Sequence, residues 1–176
     1  MMTESLRYCF LSTSAGRMLL VVSPRGIRSL RLAEPGDDAR LLDTVRSEEE
    51  SAELAQDPKL RREWADRIED VLAGDKPSTS LPLDLVGTPF QVSVWQALCE
   101  IPYGETRTYA EVAEAIGSPK AVRAVGSACG KNRIGVIVPC HRVLRQGGGI
   151  GGYFWGTHVK RRLLERERTT TEALVS

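Results

Sequence analysis

Short segments rich in hydrophobic residues, separated by polar turns, predict β-strands in the first third of the chain. These segments span 6–11, 18–22 and 27–32, and Ala15-Gly16 and Pro24-Arg25-Gly26 separate them. Such closely spaced turns indicate an antiparallel meander. The apolar segment 81–85, which follows a polar connector, is a candidate for one further strand.

Two highly charged segments carry apolar residues at helical spacing. In the segments 37–53 and 60–72, Leu, Val, Ile and Trp recur three or four positions apart, and Gly74 marks the end of the second. This periodicity predicts two helices. Because this half of the chain contains no catalytic constellation, we interpret residues 1–85 as an N-terminal α/β scaffold domain.

The second half contains several signals for the start of a helix. Thr88-Pro89-Phe90-Gln91 combines an N-cap threonine, a proline and a capping-box glutamine, and Thr108 with Glu111 forms a second capping box. Ser118-Pro119 predicts the start of the next helix, which runs to Gly130. Two short helices joined by a tight turn indicate a helix-turn-helix, although such pairs also occur in plain helical domains.

The total charge is close to zero, but the charges are unevenly distributed. The 176 residues contain 24 Lys and Arg against 23 Asp and Glu. Residues 1–85 hold 12 basic and 16 acidic side chains, whereas residues 86–176 hold 12 basic and 7 acidic ones. No acidic residue occurs between Glu114 and Glu165, a stretch with nine Lys or Arg. This stretch indicates a surface that binds a polyanion.

Composition narrows the class of protein further. Hydrophobic residues make up 41% and charged residues 27% of the chain, which is ordinary for a globular protein. No apolar run is long enough to cross a bilayer, and the N-terminus lacks the pattern of a signal peptide, so we expect a cytoplasmic protein without a membrane partner. The four cysteines lie far apart without a Cys-x-x-Cys pair, so we expect no metal, no disulfide framework and no cofactor.

One cysteine lies in a reactive setting. The apolar, β-branched run 134–138 predicts a buried strand, which delivers Pro139-Cys140-His141-Arg142-Val143 at its end. Cationic neighbours favour the thiolate, which is the nucleophilic form of cysteine. The glycine-rich loop 146–152 contains Gly-x-Gly-x-x-Gly, but it does not lead from a strand into a helix, and we reject a dinucleotide site. The aromatic residues 153–155 predict a flat wall suited to a nucleic-acid base, with plain core packing as the alternative for Trp155.

These motifs together resemble those of a known family. Residues 87–167 are similar to the C-terminal domain of the O6-alkylguanine-DNA alkyltransferases (methylated-DNA-protein-cysteine methyltransferases). The similarity rests on the runs 101–106 (IPYGET), 120–125 (KAVRAV), 139–143 (PCHRV) and 160–167 (KRRLLERE). The run 152–156 (GYFWG) resembles the alkyltransferase domain of the bacterial adaptive-response type more than the animal type.

The resemblance implies a single-turnover DNA-repair reaction. Cys140 would accept the alkyl group irreversibly from O6-alkylguanine, and from O4-alkylthymine as a further candidate, after the base has flipped out of double-stranded DNA. His141 would take the thiol proton through a water, and Glu167 would orient His141. Tyr109 would donate a proton to the guanine, and Asn132 would be the hinge between the recognition helix and the active-site segment.

The resemblance also assigns DNA and substrate contacts. Arg123 would be the finger that fills the gap left by the flipped nucleotide. Further DNA contacts would come from Lys120, Ala121, Ala124, Ser127 and Lys131. The guanine pocket would include Val143, Tyr153 and Phe154. In the family the recognition helix enters the minor groove, which small residues suit, so we expect weak sequence preference and strong salt dependence.

For the fold, we predict an α/β (α+β) protein. A ribonuclease-H-like N-terminal domain with a small antiparallel sheet and helices would span 1–85. A mainly helical, winged-helix-like domain with the helix-turn-helix would span 86–168, and 169–176 would form a flexible tail. We expect a monomer that can cluster along DNA.

Several interpretations compete with these predictions. We favour packing over reactivity for Cys129, and we expect Gly135 and the glycine loop to make the pocket roomy enough for larger alkyl groups. For the whole protein, the alternatives are a catalytically silent binder of alkylated bases, a helix-turn-helix regulator with Cys140 as a redox sensor, and a papain-like hydrolase. The presence of Cys140, the absence of a dimerisation segment and the adjacency of Cys and His argue against each in turn.

Overall fold

The computed structural model describes residues 2–175, and its N-terminal sheet begins with the predicted meander. Strands β1 (Glu4–Thr13), β2 (Gly16–Ser23) and β3 (Gly26–Leu32) pair antiparallel in sequence order. The turn before β3 requires glycine, because Gly26 has a φ of 140° and a Cβ there would lie 2.2 Å from the Pro82 carbonyl oxygen. The three predicted strands are confirmed.

The sheet has a fourth strand that the sequence pattern did not predict. Helix α1 (Asp38–Glu48) ends earlier than the predicted segment 37–53, and β4 (Ala52–Gln56) follows it and pairs parallel to β1. The sheet, in the order β3-β2-β1-β4, is therefore mixed and not antiparallel. β4 is short, mostly exposed and contains no β-branched or aromatic residue, so only its long-range pairing with β1 distinguishes it from the end of the preceding charged helix.

Helix α2 (Lys59–Leu72) confirms the second predicted helix. Its apolar face is buried and packs beside β1, because the apolar residues recur at helical spacing. The buried members are Leu60, Trp64, Ile68, Val71 and Leu72. Together with Leu20, Leu98 and Ile137, these residues belong to one hydrophobic cluster that extends across position 86.

The second half is mainly helical, as predicted. Helices α3 (Pro89–Cys99) and α4 (Tyr109–Ala115) both begin with complete capping boxes. Helix α5 (Val122–Gly130) begins later than Ser118-Pro119: its N-cap is Ala121, without a side-chain hydrogen bond. Two short strands, β5 (Arg107–Thr108) and β6 (Val143–Leu144), pair in parallel next to these helices.

The apolar run 134–138 is buried, but it is not a strand. Its contact with β3 is an isolated bridge in which the Gly135 N–H donates to the Leu30 carbonyl at 2.7 Å, and the Leu30 N–H donates to the Arg133 carbonyl at 2.9 Å. Val136 then adopts a φ of 67°, which breaks the extended backbone. The candidate strand 81–85 is likewise reduced to one bridge, between Leu83 and Ile27.

Helix α6 (Thr157–Val175) closes the fold and continues past position 168. Of the predicted flexible tail 169–176, residues 169–175 therefore form the last turns of this helix, and position 176 lies outside the described residues. Over residues 2–175, no helix has the length and apolar character that a membrane span requires.

Candidate active site

Cys140 opens a short 3₁₀ turn directly after the buried segment 134–138, and its side chain is only 4% exposed. Asn132, just past the end of α5, donates from Nδ2 to Cys140 Sγ at 3.3 Å and to the Val138 carbonyl at 3.0 Å. Asn132 Oδ1 accepts from the Ile134 N–H at 2.9 Å. One buried amide thus joins α5 to the segment that carries the thiol.

A buried hydrogen-bonded relay lies beside the thiol. His141 Nε2 lies 2.7 Å from Glu167 Oε1, and Arg142 donates to both oxygens of the same carboxylate, at 2.9 and 3.0 Å. Arg142 also donates to the Ile101 carbonyl at 2.7 Å. Because an ionised carboxylate only accepts, Glu167 favours the His141 tautomer that carries its proton on Nε2, which leaves Nδ1 as an acceptor.

The electrostatics of the relay favour a charged glutamate and a neutral histidine. Burial raises the pKa of Glu167, but the hydrogen bonds and positive charges of His141 and Arg142 outweigh burial and bring the pKa to about 2. Burial lowers the pKa of His141, against the opposing effect of Glu167. A neutral imidazole with a free acceptor nitrogen is suited to take a proton.

The thiol itself is held in its protonated form. Burial raises the pKa of Cys140, and the Asn132 hydrogen bond and the positive charge of Lys160 oppose this increase. Burial also raises the pKa of Tyr109 to about 12, so its hydroxyl keeps its proton near neutral pH. Cys140 therefore needs a base to become a nucleophile, whereas Tyr109 is available as a donor.

A cleft of about 580 Å³ opens onto the thiol. The predicted residues that line it are Tyr109, Arg123, Cys140, Tyr153 and Phe154. His141, Glu167 and Asn132 are buried behind the cleft wall, and Val143 is fully buried below it. The structure therefore brings the predicted nucleophile, proton donor and finger to one opening.

The aromatic residues 153–155 consist of two partly buried rings, Tyr153 and Trp155, and one exposed ring, Phe154. Tyr153 and Trp155 lie with their ring centroids 5.4 Å apart, and Phe154, which is 62% exposed, contacts Trp155 edge to face at 5.0 Å. The indole of Trp155 lies over Gly135, where a Cβ would approach the ring to 2.5 Å. Gly135 therefore makes space for Trp155, and the expectation that Gly135 enlarges the pocket is wrong.

Apart from Arg123, the predicted DNA contacts lie outside the cleft, on α5 and at its two ends. Lys120, Ala124, Ser127 and Lys131 are exposed, and Ala121 is half-buried. Arg123 is exposed at the cleft rim. This surface has small side chains with long cations at its margins, which is the arrangement that a phosphate-lined groove accommodates.

Four further residues of the site carried weak sequence signals. Cys129 and Arg145 line the cleft with Cys140, and burial raises the pKa of Cys129 to about 12. Arg142 binds Glu167, and Lys160 lies fully buried behind the cleft. Arg142 and Lys160 belong to the recognised motif runs, but nothing local to the sequence indicates that their charges are buried.

Comparisons with known proteins agree with this geometry. The family description "6-O-methylguanine DNA methyltransferase, DNA binding domain" matches residues 89–169. A methylated-DNA-protein-cysteine methyltransferase of Methanosarcina barkeri is 41% identical over 91% of this chain and 96% of its own length. The chain therefore belongs to the methylated-DNA-protein-cysteine methyltransferase family.

Two further comparisons relate the chain to a longer protein and to a protein of known structure. The bifunctional transcriptional activator/DNA repair enzyme Ada of Escherichia coli is 43% identical over 96% of this chain, which spans 47% of the length of Ada. The crystal structure of Mycobacterium tuberculosis OGT in complex with DNA superimposes with a TM-score of 0.75 at 36% identity and covers 94% of each chain. The mixed α/β fold is thus that of solved relatives.

Proposed function

We propose that this protein repairs double-stranded DNA by transferring a methyl or larger alkyl group from the O6 of guanine to Cys140, once per molecule. The observation that carries this proposal is the position of Cys140 at the cleft, between the His141–Glu167–Arg142 relay and the Arg123 rim. The family membership and the DNA complex of the mycobacterial relative support it.

In the proposed reaction, His141 takes the thiol proton through a water, and Glu167 balances the charge of the imidazolium that forms. The Cys140 thiolate attacks the alkyl carbon, an S–C bond forms, and the C–O6 bond breaks. Its electron pair stays on the guanine, to which Tyr109 donates a proton or hydrogen bond. The product thioether has no good leaving group, so the transfer is irreversible.

DNA would bind along the helix-turn-helix. Arg123 at the cleft rim would fill the gap that the flipped nucleotide leaves in the DNA base stack. The DNA backbone would be contacted by Lys120, Ala121, Ala124, Ser127 and Lys131. Asn132 would couple this surface to the thiol through its three hydrogen bonds. Tyr153, Phe154 and the backbone of Val143 would bind the flipped base.

We further propose a cytoplasmic monomer with a ribonuclease-H-like N-terminal domain, residues 1–85, and a winged-helix-like domain, residues 86–168. The four cysteines are free thiols, which a reducing compartment preserves. O4-alkylthymine is a second candidate substrate of the same site.

The test is the intact mass of the protein before and after incubation with duplex DNA that contains O6-methylguanine. We expect a stoichiometric gain of one methyl group, located at Cys140 by peptide mass. Cys140→Ser is expected to gain none, while Cys129→Ser, which changes the other thiol of the cleft, still gains one. Absence of methyl transfer to the unmodified protein would contradict the proposal.

A further inference from the structure

Lys160 is a buried cation for which the proposed reaction gives no role. Its side chain is 0% exposed, and no carboxylate among residues 2–175 pairs with it. Nζ instead donates to the Val143 carbonyl at 2.6 Å and to the Gly152 carbonyl at 3.1 Å. A buried ammonium without an anionic partner is costly, so such a residue usually has a function that compensates its cost.

The two carbonyls belong to different segments of the site. Val143 follows the 3₁₀ turn that starts at Cys140, and Gly152 lies on the glycine loop and lines the cleft. Nζ therefore joins the thiol-bearing segment to the loop that carries the aromatic wall. Cys140 and Gly152 both line the cleft, so Lys160 on α6 is bonded to both segments that a bound base would contact.

Close packing around Nζ restricts the loop further. Nζ lies 5.9 Å from the centre of the Tyr109 ring. A Cβ on Gly151 would lie 2.9 Å from the Tyr109 hydroxyl and 3.5 Å from Lys160 Nζ. Gly151 also has a φ of 72°, so only glycine fits this passage without strain. Lys160, Tyr109 and the glycine loop thus pack as one unit.

The charge of Lys160 acts on the reacting groups. Burial lowers the pKa of Lys160, and the Cys140 and Cys129 thiols oppose this decrease. In return, Lys160 favours the thiolate of Cys140. The other charged or titratable groups around it are His141, Arg145 and Tyr109, none of which is an anion at neutral pH. Among residues 2–175, the thiolate would be the one anion close to this ammonium.

We propose that Lys160 is a positioning residue for alkyl transfer: its ammonium joins the thiol-bearing segment to the glycine loop and supplies the positive charge that stabilises the Cys140 thiolate as it forms. This inference rests on the proposed function. It assigns Lys160 a positive charge that is present before His141 takes the proton, whereas the imidazolium of His141 and the guanidinium of Arg142 are balanced by Glu167.

The test compares three variants with the unmodified protein. Lys160→Met removes the charge at similar length, Lys160→Arg retains it, and Lys59→Met removes an exposed lysine on α2 as a control. The first assay follows alkylation of Cys140 by chloroacetamide, without DNA, as a function of pH. The second follows methyl transfer from O6-methylguanine duplex, alongside affinity for undamaged duplex.

For Lys160→Met we expect the apparent pKa of Cys140 to rise by one unit or more, so that both reactions slow about tenfold or more at neutral pH. Affinity for undamaged duplex is expected to stay unchanged. Lys160→Arg should recover most of the chloroacetamide rate even if its melting temperature falls, and Lys59→Met should match the unmodified protein. An unchanged pH profile in Lys160→Met, or Lys160→Arg no faster than Lys160→Met, would overturn the inference.

Failure of the Lys160 role can be distinguished from failure of the proposed function and from failure of the variants to fold. If the unmodified protein transfers no methyl group, the proposed function fails, while the chloroacetamide assay still tests Lys160. If the Lys160 variants do not fold, NMR of the unmodified protein replaces them. A slowly exchanging Lys160 ammonium resonance is expected, and it should shift when chloroacetamide alkylates Cys140; a resonance that does not respond would refute the role.

Discussion

Replacing Asn132 with alanine tests the coupling between the DNA-binding helix and the thiol. The change removes three hydrogen bonds from a side chain that is 4% exposed. The Val138 carbonyl retains a second donor, the Cys140 N–H at 2.8 Å. The Ile134 N–H loses the one acceptor that the structure shows for it within residues 2–175. Cys140 Sγ loses its amide donor.

The lost hydrogen bonds determine how far the free energy of unfolding should fall. An unsatisfied buried N–H costs about 1–3 kcal/mol, and the loss of one of two bonds at a carbonyl costs about 0.5–1.5 kcal/mol. The expected decrease in the free energy of unfolding is therefore about 2–4 kcal/mol, a large fraction of the about 5–15 kcal/mol of a typical domain. Loss of the Nδ2 donor also raises the pKa of Cys140, so methyl transfer at neutral pH should slow.

Urea unfolding and methyl-transfer kinetics measure the two effects separately. Asn132→Asp keeps an acceptor for Ile134 but places a negative charge beside Cys140. Because this negative charge opposes formation of the thiolate, Asn132→Asp should slow methyl transfer more than Asn132→Ala does. Gln91→Ala, which removes an exposed capping-box amide, is the control and should cost about 1 kcal/mol with unchanged kinetics. A cost below about 1 kcal/mol for Asn132→Ala, with an unchanged rate, would refute the coupling.

Three further predictions concern other parts of the site. Arg123→Ala should slow methyl transfer from duplex DNA about tenfold or more, without changing chloroacetamide alkylation of Cys140. Arg62→Ala on α2 is the control. Equal methyl-transfer rates for Arg123→Ala and the unmodified protein would contradict the finger role. The folded-state pKa of Glu167 is about 2, below the usual 4.5, so its contribution to stability is present above about pH 4.5 and is lost as the pH falls towards 2. In an acid titration followed by circular dichroism, Glu167→Gln should therefore lose less stability over this pH range than the unmodified protein. Gly135→Ala should lower the melting temperature because its Cβ would meet Trp155 at 2.5 Å, and Gly126→Ala, where a Cβ meets nothing within 4 Å, should not.

The local elements of this protein could be predicted from its sequence because their signals act over a few residues. The capping boxes at Thr88 and Thr108 start helices where the pattern places them, since each satisfies N–H groups within one turn. The apolar spacing of α2 and the turns of the meander are equally local. The reactive setting of Cys140 and the basic stretch were also visible in the chain itself.

Long-range contacts decided the remaining features. Strand β4 exists through its parallel pairing with β1, and the run 134–138 contacts β3 through a single bridge before Val136, with a φ of 67°, breaks the extended backbone. Strands β1 and β3 are far in sequence from these two segments, so local propensity could not indicate the outcome.

The same distinction applies to the active site. The motifs identified Cys140 and His141 as the reactive pair, but the sequence separates Lys160 from Val143 by 17 positions and Arg142 from Glu167 by 25. Only the packing of α6 against the 3₁₀ turn brings these charges out of water and next to their partners. Burial is a property of the whole fold, and it is burial that lowers the pKa values of Lys160 and His141.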